Sequence, residues 1–152
     1  WQERARRVMS KVYMATEWLQ KHTDLEQILA SKKKLPTIVT YHDPCHARKM
    51  QGIHKEPRNL IRKNYNIVEM ADPNSCCGFG GVTMQSEKYH FAKAVGVKKA
   101  AMINNTKASI VSAECSACRM QITDSLGRTN SKVIFKNPIE LIAQSLGMPN
   151  AK

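Results

Sequence analysis

The sequence predicts an α/β fold: a small, mainly parallel sheet flanked by helices, with the cysteines on loops at the C-terminal ends of the strands. Three observations carry this. From Thr37 onward, short β-branched segments alternate with longer segments of helical periodicity. Such alternation is the pattern of parallel strands joined by helical crossovers. Each of the five cysteines then falls just after a predicted strand.

The elements follow in order. Glu3 to Lys21 is predicted as one amphipathic helix, with Val8, Val12, Ala15 and Leu19 at helical spacing and Tyr13 and Trp18 widening the stripe. Leu25 to Ser31 is a shorter helix with Asp24 as its N-cap, ending in the charged turn Lys32-Lys33-Lys34 before Pro36. Strands are expected at Thr37–Tyr41, Asn66–Met70, Ala108–Ala113 and Lys132–Phe135, where β-branched residues cluster. Between them lie helices at Pro57–Lys63, Met84–Ile103 and Cys115–Leu126. The second is expected to loosen at Gly96 and the third to stop at Gly127. Pro138 to Leu146 closes the chain as a helix ended at Gly147. Residues 1–35 are expected to form an N-terminal helical segment leading in from a longer chain, since the first residue is Trp; residues 36–152 are the cysteine-rich α/β domain.

With 152 residues, 42% hydrophobic and 24% charged, the chain has the composition of one globular domain. No apolar run approaches the roughly 18 residues that a membrane-spanning helix needs. The net charge of +12 favours anionic partners. Lys and Arg are spread along the chain and aromatics make up only 6%, so no nucleic-acid partner is expected. A solvated basic surface, or a docking face for an acidic partner protein, accounts for the charge.

Cys45, Cys76, Cys77, Cys115 and Cys118 form a C-x30-C-C-x37-C-x2-C array. Five thiols cannot all pair within one chain, and with no secretion signal the expected compartment is the reducing cytoplasm. In open α/β sheets the loops at the strands' carboxyl ends line the ligand crevice, so the five should converge there. Thiolates are soft ligands that select iron–sulfur clusters, Zn²⁺ or Cu(I). Cys115 and Cys118 open a helix, whose backbone N–H groups stabilise thiolates. Gly78, Gly80 and Gly81 let the backbone approach a bulky group, and His42 and His46 flank Cys45. Buried small hydrophobes, or a Cys76–Cys77 disulfide with redox exchange at the C-x-x-C, are the competing readings.

His42-Asp-Pro-Cys-His46, Cys76-Cys-Gly-Phe-Gly-Gly81, Cys115-x-x-Cys118 with Gln121-Ile122, and Glu140-Leu-Ile142 together resemble the cysteine-rich CCG domain. That domain occurs in heterodisulfide reductases, glycolate oxidase iron–sulfur proteins and lactate-utilisation proteins. The resemblance covers about Thr37 to Leu146. It implies that the five cysteines bind a 4Fe-4S cluster, non-cubane in some members, with zinc as the alternative. Gly78, Gly80, Gly81, His42 and His46 would surround it. Three details differ from many members: Ser116 replaces Pro, Lys136-Asn137 replaces a His, and the Cys77–Cys115 gap is slightly long.

The implied role is an iron–sulfur electron-transfer subunit of a glycolate/lactate-type dehydrogenase complex. Its partners would be other subunits, among them a flavin-containing one, and any membrane contact would be peripheral and made through them. A disulfide-reducing catalytic domain and a structural zinc module are the alternatives.

Overall fold

The computed structural model describes residues 1–149. Four strands, β1 (Ile38–Tyr41), β2 (Asn66–Ile67), β3 (Ile110–Ser112) and β4 (Ile134–Lys136), form one sheet in the order β2-β1-β3-β4. All three pairings are parallel. Val39 lies opposite Ile67 on one side and Ile110 on the other, and Ser112 lies opposite Lys136.

The sheet is covered on both faces because successive side chains alternate. Ile110 joins Val39, Tyr41, Ile61, Tyr65 and Leu141 on the face covered by α4 (Lys55–Ile61) and α8 (Pro138–Ser145). Val111 points the other way, into a core with Ala100, Ile103, Ile122 and Leu126. These come from α6 (Tyr89–Asn105) and α7 (Ser116–Arg128). α8 starts firmly. Pro138 occupies its first turn, Asn137 accepts the Ile139 N–H at 3.0 Å, and Glu140 accepts the Asn137 N–H at 2.6 Å. Such a cap contributes about 1 kcal/mol. Asn137 therefore has a structural duty at the position where the resemblance leads one to look for His.

Four predicted elements are corrected. Residues 3–21 form two helices, α1 (Gln2–Met9) and α2 (Ala15–His22), and no α1 residue is buried. The break leaves the N-terminus of α2 free to bind a carboxylate: Thr16 donates its N–H to Glu114 at 3.0 Å and its hydroxyl at 2.5 Å. α3 (Leu25–Ala30) packs on α4 and α8 through Leu25, Leu29, Leu60 and Ile142, and Leu19 of α2 packs against the same cluster. The predicted 84–103 helix is also two, α5 (Val82–Ser86) and α6, parted at Glu87–Lys88. Gly96 does not loosen α6. A Cβ there would lie 2.2 Å from Ser125 Oγ, so the glycine sets the close crossing of α6 on α7. α7 runs through Gly127 to Arg128, and Asn130, at φ +51°, supplies the left-handed turn that follows. Finally, β2 stops at Ile67, because Glu69 turns to Arg58 and Met70 enters the α6/α7 core.

The strand order matters for the site. The chain leaves β1 for β2 on one side, then crosses to β3 on the other. Loops after β1 and β3 therefore diverge, which opens a crevice between them at the carboxyl edge. His42 follows β1 and Cys115 follows β3.

Candidate metal centre

The site is built from the ends of three strands. Cys115 caps α7, its sulfur accepting the Cys118 N–H at 3.4 Å. The loop after edge strand β2 swings back over the sheet and brings Cys77 to Cys118, with sulfurs 3.4 Å apart. That is a hydrogen-bond contact, and all five cysteines are free thiols. Cys77 and Cys118 are buried within the α6/α7 core, and Cys115 packs against it half-buried.

Electrostatics split this trio into one thiol that holds its proton and two that are more acidic. Cys118 keeps its proton, since donation to Cys115 and Cys77 and its burial all push its thiol up. Cys115 falls to about 6, through the Cys118 hydrogen bond and the helix N–H groups of Cys118 and Ala117. Cys77 falls to about 4, first through Cys118, then through nearby His42 and the Phe79 N–H.

His42 completes the inner group. Its imidazole is 1% exposed, and one ring nitrogen lies with the Cys77 and Cys118 sulfurs in a cluster no more than 4.8 Å across. Neither ring nitrogen has a hydrogen-bond partner. A buried polar group without a partner costs about 1–3 kcal/mol, so two thiol sulfurs beside an unpartnered nitrogen suit a bound metal or metal–sulfur group.

Cys45 and Cys76 stand apart from this trio. Cys45 starts a π-helical turn at His46–Met50, half-buried, with its sulfur 3.7 Å from His46 Nδ1. Cys76 is exposed and accepts the Gly78 N–H at 3.3 Å. The glycines have separate duties. Gly78, at φ +97°, sits against α6, where a Cβ would lie 2.7 Å from the Ala92 carbonyl. Gly80 and Gly81 are left-handed too, and Gly81 faces open space. Gln85 ties the loop down by donating to the Phe79 carbonyl at 2.6 Å and to Gln121 at 3.0 Å.

Two further anchors have no signal in residue spacing. Asp43 is fully buried between His42 and Cys45, and takes Arg48 and Arg58 at 2.5 Å each. Arg58 also grips Glu69 at 2.8 Å and stacks over Tyr41. The other anchor is Lys99, in the middle of α6, which donates to the Asp72 carbonyl at 2.9 Å. Burial pulls its ammonium below the ordinary lysine range, against the pull of Asp72, Cys77 and Cys76. Only a motif that includes Asp43 could have pointed to the first anchor, and a lone lysine in a helix points to nothing.

The sequence family described as the CCG cysteine-rich domain matches residues 39–123, from β1 into α7. This chain belongs to that family. The CCG domain is 41% identical over 100 residues to an uncharacterized iron-sulfur protein of Methanococcus maripaludis, covering 64% of this chain and 20% of that protein. Against one component of the fumarate reductase (CoM/CoB) of Methanothermobacter marburgensis it is 35% identical over 128 residues, or 78% of this chain and 26% of that component. Lactate utilization protein A of Bacillus licheniformis is 29% identical over 145 residues, 93% of this chain and 59% of that protein. The CCG domain thus spans a fifth to a quarter of the first two relatives and 59% of the third. Among the described residues no helix is long and apolar enough to cross a membrane.

Proposed function

We propose that this CCG domain binds an iron–sulfur cluster through Cys45, Cys76, Cys77, Cys115 and Cys118, and passes electrons within a multi-subunit oxidoreductase. The observation that carries the reading is the meeting of Cys77, Cys115 and Cys118 with an unpartnered, buried His42 at the sheet's carboxyl edge. The cluster would be of the 4Fe-4S type, cubane or non-cubane. When bound, it supplies a one-electron couple.

The chain's own residues do the rest. Cys77 and Cys118 offer sulfur from inside the core and exclude water. Cys115 presents its sulfur at a helix N-terminus, where backbone N–H groups favour thiolate. Cys45 and Cys76 would hold the group from the rim. His42 would face the group with a buried, unpartnered ring nitrogen, and His46 stands beside Cys45. The electron donor is a flavin-containing subunit that oxidises a small 2-hydroxy acid, and the acceptor is a later redox centre.

Iron, acid-labile sulfide and zinc per chain after strictly anaerobic preparation test this. Iron and sulfide in comparable amounts are expected. A second reading, a structural zinc site, is favoured by the compactness of the His42, Cys77 and Cys118 group. Zinc alone, with no iron taken up on reconstitution, would replace the first reading with the second.

A further inference from the structure

Lys99 is 1% exposed. Its ammonium reaches the Asp72 carbonyl at 2.9 Å and the Met70 sulfur at 3.7 Å. Among the described residues no carboxylate forms an ion pair with it. A carbonyl and a thioether are poor compensation for a lysine charge, since an unpaired buried ion costs several kcal/mol. Every other buried charge at this edge is matched: Asp43 has two arginines, and Arg58 has two carboxylates. Among the described residues, Lys99 alone of these has no ion-pair partner.

Its position says where such a partner belongs. Met70 and Asp72 begin the segment that ends in Cys76 and Cys77, and Cys77 shares the core with Met70 and with Ala100, the next residue of α6. Cysteines that hold a metal are thiolates, and several of them around one centre make it net negative.

We propose that Lys99 is the buried counter-cation of the centre held by the cysteines, and that it clamps the Cys76–Cys77 loop in place for binding. This rests on the reading that these cysteines bind a metal or metal–sulfur group. Lys99 acts on that group through charge and through the loop, so it is a positioning residue. The consequence is a change of sign. In the empty chain, removing the charge relieves an unpaired ion. In the loaded chain, it removes an attraction.

The test compares wild type with Lys99→Met, Lys99→Gln and Lys99→Arg. Lys99→Gln keeps a donor for the Asp72 carbonyl without the charge, and stands in if Lys99→Met does not fold. In the empty chain, thermal melting of the neutral variant should be no lower than wild type. Its affinity for Cd²⁺, read from sulfur-to-metal charge-transfer absorbance, should fall by about tenfold or more, the effect of losing one close charge pair. In the chain loaded with iron and sulfide, its midpoint potential should be more negative, while Lys99→Arg stays near wild type. Wild-type Cd²⁺ affinity and potential in the neutral variants, or equal destabilisation of the empty and loaded chains, would overturn the proposal. If wild type takes up no iron or sulfide but binds Cd²⁺ in a Lys99-dependent way, the iron–sulfur reading fails and the counter-cation role stands. If iron and sulfide load normally and the neutral variants match wild type, only the counter-cation role fails.

Discussion

Cys77, Cys115 and Cys118 carry the same sulfur as Cys45 and Cys76 but live in different surroundings. The first three belong to the α6/α7 core or pack against it, linked to one another by hydrogen bonds. The other two sit in turns at the rim, half-buried and exposed, with hydrogen bonds to near neighbours in sequence. The inner trio is therefore preorganised by folding, and its packing is part of stability. The rim pair lies outside the core cluster, Cys45 half-buried and Cys76 exposed. On the proposed ligand set, loss of an inner cysteine should damage fold and site together. Loss of a rim cysteine should damage the site alone.

The largest effect is expected where the inner group and the rim share one anchor. Asp43 lies between His42 and Cys45 and holds two arginines. Asp43→Ala leaves Arg58 buried without that partner and should cost about 3–5 kcal/mol in chemical unfolding. Gly78→Ala comes next, at about 3 kcal/mol, from left-handed strain plus overpacking against α6. Gly81→Ala, at φ +85° but in open space, should cost about 1–2 kcal/mol, the strain alone. Equal losses at the two glycines would break the picture of a loop pressed on α6.

Cys118→Ser and Cys76→Ser sharpen the comparison directly. Both should abolish iron and sulfide retention. Cys118→Ser should also cost about 1–3 kcal/mol in the empty chain, because it buries a poorly paired hydroxyl in the core. Cys76→Ser should leave the empty chain within about 0.5 kcal/mol of wild type. Full cluster content in Cys76→Ser would remove the rim from the ligand set.

Much of this was legible in the sequence, and the reasons are local. β-branched runs marked all four strands, and the parallel order put every cysteine at the strands' carboxyl edge. What escaped depends on contacts distant in sequence. The stripe through Val8, Val12, Ala15 and Leu19 is continuous on paper, but Glu114, remote in sequence, binds the start of α2 at Thr16. Gly96 reads as a weak point until Ser125 of α7 is seen against it. Gly127 has the residue type of a helix stop, but Asn130 takes the left-handed turn instead. The division between inner and rim cysteines is equally invisible in the spacing, because it arises from the β2 loop folding back over the sheet. Lys99 sits in a run of ordinary helix formers, and only its burial singles it out.

Iron K-edge X-ray absorption on the anaerobically reconstituted chain tests the central claim most directly. Five cysteines holding one cluster require sulfur as the main ligand to iron, together with strong scattering from neighbouring iron atoms. Iron retained as single ions without an iron neighbour, or bound mainly through nitrogen and oxygen, would contradict it.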